Sequence, residues 1–100
     1  MTKAVHDRLC GLDTLPTEAI KTRATVQERF HFGTDTEGRK GFVTVLIRTR
    51  PGRDDAVLLQ ISEAARDAVT AQVRPVAGKA LSVSVEIQMM DPVAVVRAKV

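Results

Sequence analysis

The chain has 100 residues and a mass of 10.9 kDa, so we predict one ordinary domain over residues 1–100 with a single hydrophobic core. Its 15 basic and 12 acidic residues leave a formal charge of +3, and 44% of its residues are hydrophobic, which excludes a disordered or fibrous protein. No stretch without a charged residue exceeds seven residues, and the first eight residues mix both charge signs, so we expect neither a membrane span nor a secretory signal and predict a cytoplasmic protein.

The first predicted element is a short amphipathic helix over residues 3–12. Its apolar side chains recur at spacings near three and four, as they do on the buried face of a helix. Gly11 and Pro16 supply the stop signal for this helix. The apolar positions are Ala4, Val5, Leu9 and Leu12.

Two predicted strands follow the first helix. Side chains alternate with a period of two over residues 20–32, which predicts a long strand with one basic, polar face. Residues 33–41 are rich in turn formers, and residues 42–48 alternate again, with apolar side chains on one face. We therefore predict that the strands over residues 20–32 and 42–48 pair as a hairpin.

The second half of the chain predicts a helix and a strand. Pro51 and Gly52 break the preceding strand, and Asp54 is placed to cap a helix that runs to about residue 73. Residues 81–89 show the clearest alternation in the chain, and the tail over residues 93–100 is suited to a last short strand. The predicted inner face of the helix holds Val57, Leu58, Ile61, Ala64, Ala65, Ala68 and Val69.

Few side chains offer metal or nucleophilic chemistry. Neither His6 nor His31 has a Cys, Asp or Glu at a metal-ligand spacing, so the sequence predicts no zinc site. The only cysteine, Cys10, cannot form an intrachain disulfide, which agrees with a reducing compartment. We interpret Cys10 as a small core side chain rather than a nucleophile.

Basic residues cluster at two turns. Arg48, Arg50 and Arg53 surround a turn between a strand and a helix, where guanidinium groups and free N–H groups can bind a carboxylate or phosphate. The alternative is that they form only a solvated surface. The segment Gly38-Arg39-Lys40-Gly41 has the spacing by which KH domains clamp a nucleic-acid backbone, but its flanks are predicted strands, so we interpret it as a hairpin tip.

Three features of residues 42–92 occur together in one known family. They are a strand that ends in Gly52-Arg53, a long helix after it, and the alternating segment 81–87 followed by Asp91-Pro92. In this order and spacing the chain resembles the 5-carboxymethyl-2-hydroxymuconate isomerase family of the tautomerase superfamily. Residues 4–32 are similar to the family's helix and second strand, with residues 20–23, Ile-Lys-Thr-Arg, at its Ile-Arg-x-Arg stretch.

The resemblance implies an α/β (α+β) fold, a tautomerase-like β-α-β sandwich of a mixed sheet with two helices on one face. It also implies a homotrimer that transfers a proton on an unsaturated acid, with no metal or organic cofactor. The family's general base is an N-terminal proline, and its arginines bind substrate carboxylates. By position, Arg53 matches a carboxylate-binding arginine, Lys21 replaces another without its bidentate fork, and Arg23 matches the next one along the strand.

The start of the chain departs from the family pattern. Residue 2 is Thr, and the family's first strand is missing. The four prolines of the chain are internal, and an internal proline nitrogen is a tertiary amide that cannot act as a base. We therefore expect the sequence to be an N-terminally shortened version of a longer enzyme.

The resemblance implies an isomerase that shifts a double bond in an unsaturated hydroxy or keto carboxylic acid, such as 5-carboxymethyl-2-hydroxymuconate, in aromatic-compound degradation. We expect Arg53 and Lys21 to be catalytic, and both of them, with Arg23, to bind the substrate carboxylates. The alternative is an inactive relative that keeps the fold and binds an anionic ligand or a protein. A third interpretation is a basic nucleic-acid-binding module. The low aromatic content opposes it, because few side chains could stack on bases, so we expect no nucleic-acid partner. We also expect no membrane partner.

Overall fold

The computed structural model describes residues 1–100 and contains two helices and two strands, each close to a predicted element. Helix α1 spans Thr2–Cys10, strand β1 spans Lys40–Thr49, helix α2 spans Asp55–Thr70 and strand β2 spans Ala80–Met89. A short 3₁₀ helix at Thr17–Ala19 lies between α1 and β1. Neither helix has the length and apolar character needed to cross a membrane.

The two strands form a parallel sheet. They pair in register from Lys40 opposite Ala80 to Thr49 opposite Met89. Parallel strands require a crossover connection, and α2 supplies it. This β-α-β unit with an additional helix is a small α+β domain of the tautomerase-like kind that the resemblance implies.

The hairpin prediction is wrong. Residues 20–32 form no strand, and β1 pairs with β2 instead. An alternating pattern specifies which side chains share a face, but a strand exists only when its backbone N–H and C=O groups meet a partner strand. The sheet therefore has two parallel strands where a mixed sheet was expected. The tail over residues 93–100 also forms no strand.

The core lies between the two helices and one face of the sheet. Ile61 and Val69 of α2 are fully buried, and Val5 and Leu9 of α1 pack in the same cluster. Helix α2 begins where predicted, because the Asp54 carboxylate accepts a hydrogen bond from the Val57 N–H at 3.0 Å. The strand side chains that pack against the cluster are Val43, Val45, Ile47, Val83, Val85 and Ile87.

Candidate functional site

The candidate site lies where both strands end. β1 ends at Thr49 and β2 at Met89, and because the strands are parallel these two ends share one edge of the sheet. Ligands of parallel sheets bind preferentially at this carboxyl edge. Gly52, with a φ of 112°, allows the sharp turn from β1 into α2. The turn places Arg53 directly before the capped start of α2.

Arg53 is held against the end of β1. Its Nη1 group donates to the Thr49 hydroxyl at 2.6 Å and to the Arg50 carbonyl at 3.4 Å. Thr49 is buried, so it provides a fixed anchor for the guanidinium. The Nε and Nη2 groups form no hydrogen bond within the protein and are available to a bound carboxylate. The predicted anion-binding role of Arg53 is therefore compatible with its geometry.

A cleft of about 450 Å³ opens beside this turn. Arg50 and, from the C-terminal tail, Arg97 both line it. Neither guanidinium forms an ion pair, and the one acidic residue of the cleft, Asp91, accepts hydrogen bonds from the N–H groups of Val93 and Ala94 at 2.8 and 3.3 Å. Two cations and one anion make the cleft positive, which suits a small organic anion.

Arg97 is the cleft residue that the sequence analysis missed. It lies in the tail predicted as a short strand, and its position beside Arg50 depends on how the chain turns after β2. The tail over residues 93–100 carries only two charged residues, Arg97 and Lys99, in otherwise apolar surroundings. These two positive charges in an apolar tail are the one sequence signal that could have indicated Arg97.

Lys21 and Arg23 share no hydrogen bond or ion pair with Arg53. Both are exposed, lie outside the helices and strands, and form no hydrogen bond or ion pair. The residue between them, Thr22, is half-buried against α1. The sequence analysis predicts that Lys21 and Arg23 bind the substrate carboxylates together with Arg53. This role of Lys21 and Arg23 stays a prediction.

Helix α1 and Thr22 form a separate polar cluster. The His6 Nδ1 atom lies 2.7 Å from the Thr22 hydroxyl oxygen, and the His6 Nε2 atom lies 3.5 Å from the Cys10 sulfur. His6 and Cys10 are four residues apart, which places them on one helix face. No third His, Cys, Asp or Glu joins them to complete a metal-ligand set.

The family comparison covers these elements. A family model described as 5-carboxymethyl-2-hydroxymuconate isomerase matches residues 1–99 of the chain. The matched region contains both helices, both strands and the turn that carries Arg53. Searches of curated proteins and of solved structures gave no match.

Proposed function

The chain belongs to the 5-carboxymethyl-2-hydroxymuconate isomerase family of the tautomerase superfamily, and on that basis we propose that it shifts a double bond in an unsaturated hydroxy or keto carboxylic acid. The proposed substrate is 5-carboxymethyl-2-hydroxymuconate or a similar acid from the degradation of aromatic compounds. The protein is proposed to act in the cytoplasm as a homotrimer.

The observation that carries the proposal is the position of Arg53. It lies at the carboxyl edge of a parallel sheet, two residues after Pro51, which lines the positive cleft. Its Nη1 group donates to Thr49 and to the Arg50 carbonyl, while its Nε and Nη2 groups form no hydrogen bond within the protein. A guanidinium held in this way loses little conformational freedom when it binds a carboxylate. Arg53 is therefore proposed as the residue that fixes the substrate.

The other basic residues are proposed to stabilise charge. When a proton leaves the carbon next to a carbonyl group, negative charge develops on the enolate oxygen, and a cation beside that oxygen lowers the energy of the state. Lys21 is proposed to take part in this stabilisation, and Arg23 to bind a second carboxylate. The proton itself needs a base, and Pro16, Pro51, Pro75 and Pro92 do not qualify because their nitrogens are tertiary amides.

The lack of a proline that can act as a base among Pro16, Pro51, Pro75 and Pro92 favours a second candidate function. A relative that keeps the fold and the arginines but has no proline able to act as a base would bind an anion without converting it. The ligand would then be a small dicarboxylate, held by the cleft cations Arg50 and Arg97 and by Arg53, which follows the cleft residue Pro51 in the same turn. This candidate and the isomerase share the binding step and differ only in turnover.

The test compares substitutions at Arg53 with a matched arginine elsewhere. We expect Arg53→Ala to lower kcat/KM for 5-carboxymethyl-2-hydroxymuconate about 10- to 100-fold, since a hydrogen bond to a charged group is worth about 1.5–3 kcal/mol. Arg53→Lys should recover part of that loss, because it keeps the charge without the bidentate fork. Arg66→Ala, at an exposed helix position, is the control and should not change kcat/KM.

Binding and turnover are measured on the same samples. Conversion is followed by the ultraviolet absorbance of the conjugated acid against buffer alone, and binding by calorimetry with the same acid. Conversion by the wild-type protein that falls in Arg53→Ala supports the isomerase. Binding that depends on Arg53 without conversion supports the second candidate. A wild-type protein that neither binds nor converts the acid contradicts both.

A further inference from the structure

A second cleft lies at the opposite end of the sheet from Arg53. It has a volume of about 310 Å³ and borders the first residues of both strands, Lys40 of β1 and Ala80 of β2. Strands of this length rise about 3.3 Å per residue, so roughly 30 Å separates the two ends. We call it the amino-edge cleft, and it is separate from the candidate site at the carboxyl edge.

Positive charge is concentrated in the amino-edge cleft. Four basic side chains and no acidic one line it: Arg39, Lys40, Arg74 and Lys79. The side chains of Arg74 and Lys79 form no hydrogen bond or ion pair, while the Arg39 Nε group is paired with Glu37 at 2.6 Å. A concave surface lined by one sign of charge attracts the opposite charge more strongly than a flat one. The cleft therefore favours an anionic ligand.

The Arg39 guanidinium lies against the turn before β2. Gly78 has a φ of 77°, and a Cβ atom at this position would lie 3.0 Å from the Arg39 Nη1 atom. The Ala80 N–H donates to the Arg39 carbonyl at 2.9 Å, and this hydrogen bond joins the backbone of Arg39 to the start of β2. The positive φ favours glycine at this position, and a Cβ atom there would require the guanidinium to shift by a few tenths of an ångström.

Apolar side chains form the rest of the cleft wall. Phe30, Val76 and Leu81 line it, and each is at least 40% exposed. The Phe30 ring packs edge-to-face on Phe42, with ring centroids 5.4 Å apart, so its orientation is constrained. An exposed aromatic ring beside cations suits a flat aromatic group that carries an anionic substituent.

We propose that the amino-edge cleft is a binding site for a small aromatic carboxylate. The carboxylate is held by Arg39, Arg74 and Lys79, and the aromatic ring packs on Phe30 and the neighbouring apolar side chains. The volume matches a ligand at the small end of those that protein clefts bind. In this proposal the basic segment 38–41 contacts the ligand. Binding at the amino-edge cleft does not depend on the proposed isomerase activity.

The experiment is a titration of the isotope-labelled chain with 2-naphthoate, followed by amide chemical shifts. We expect shift changes at residues 38–41 and 74–81, and none at residues 49–53 or 90–97. The uncharged analogue 2-naphthamide should bind at least about tenfold more weakly, because a charge-assisted hydrogen bond is lost. Cyclohexanecarboxylate should also bind more weakly, since it carries the charge without a flat aromatic ring.

Paired variants test the assignment of residues. Arg74→Gln and Lys79→Gln should each weaken 2-naphthoate binding about tenfold, whereas Arg8→Gln and Lys99→Gln remove the same charges elsewhere and should leave it unchanged. All four positions are exposed, so the amide spectrum should stay that of the folded protein.

Three outcomes would overturn the proposal. One is equal affinity for 2-naphthoate and 2-naphthamide, which would remove the role of charge. Another is equal weakening by the cleft variants and by their controls. The third is tight binding of single-stranded RNA that displaces 2-naphthoate and shifts the same amides, which would make the cleft a nucleic-acid surface instead.

Discussion

Arg53 and Lys21 carry the same charge and differ in how their side chains are held. Arg53 is half-buried and donates two hydrogen bonds, whereas Lys21 is exposed and donates none. Ordering a free lysine side chain costs roughly 1.5–2 kcal/mol of conformational entropy. Under the proposed function, Arg53 would therefore bind a carboxylate at a lower entropic cost than Lys21.

The contact between His6 and Thr22 gives a prediction for stability. Thr22→Val keeps the shape of the side chain but removes the hydroxyl that lies 2.7 Å from the His6 ring. Because the ring is half-buried and loses its partner, we expect the free energy of unfolding to fall by about 1 kcal/mol. Urea unfolding measures this value.

The control is Thr25→Val, which changes an exposed threonine that forms no hydrogen bond. We expect it to alter the free energy of unfolding much less. An equal effect of the two substitutions would show that the hydroxyl of Thr22 contributes nothing through His6.

Asp35 gives a prediction for pH dependence. Its carboxylate accepts backbone hydrogen bonds from Lys40 at 3.1 Å and Arg39 at 3.3 Å, and the bond from Lys40 is the main cause of its lowered pKa. A carboxyl group with a lower pKa in the folded state stabilises the fold above its usual titration range. That stabilisation is lost as the pH falls through the folded-state pKa.

We therefore expect Asp35→Ala to be less stable than the wild type at pH 7, and the difference to shrink below about pH 4. Urea midpoints across this pH range measure the difference. Asp13→Ala, at an exposed aspartate without hydrogen bonds, is the control. A difference between Asp35→Ala and the wild type that does not change with pH would contradict the argument.

At the scale of elements, helix α2 depends on its first turn. The Asp54 carboxylate satisfies the Val57 N–H, one of the backbone donors left free at a helix start. Asp54→Ala should lower the free energy of unfolding by about 1 kcal/mol, and the Tm by about 4–8 °C. Thermal unfolding followed by circular dichroism measures the shift.

Glu63→Ala is the matched control for Asp54→Ala. Glu63 is an exposed residue in the middle of α2 without a hydrogen bond, and alanine is a good helix former. We expect its Tm to stay close to that of the wild type. If Asp54→Ala were as stable as Glu63→Ala, the cap would not determine where α2 begins.

At the scale of the whole molecule, the single chain leaves much surface exposed. Its accessible area is 8254 Å², whereas a compact monomer of this mass exposes about 5,600 Å². The radius of gyration is 15.8 Å against about 13 Å for a compact domain of 100 residues. Only 8 residues are buried, and Val93 and Val96 of the tail are almost fully exposed. Such a surface supports the proposed self-association.

We expect light scattering at micromolar concentration to give the mass of a trimer. The two-stranded sheet has both outer edges unpaired, and a neighbouring subunit can pair with them and cover the apolar tail. Val96→Asp should shift the protein towards the monomer, because it places a charge on the surface that would be buried. A folded wild-type monomer would contradict the proposal.

The sequence by itself determined the elements whose pattern is local. The apolar spacings of α1 and α2, the alternation of β1 and β2, and the cap at Asp54 each involve residues a few positions apart, and all were predicted. The order of these elements, with Gly52-Arg53 between β1 and α2, also indicated the family that the family model confirms.

Only the tertiary structure decided what each element meets. Residues 20–32 alternate as a strand would, yet they have no partner strand. β1 pairs instead with β2, which follows it in the chain after the α2 crossover. Arg50 and Arg97 likewise line one cleft although they lie far apart in the chain. Periodicity records which side chains share a face. Strand partners and clefts depend on contacts between distant residues, which the packing of the whole chain selects.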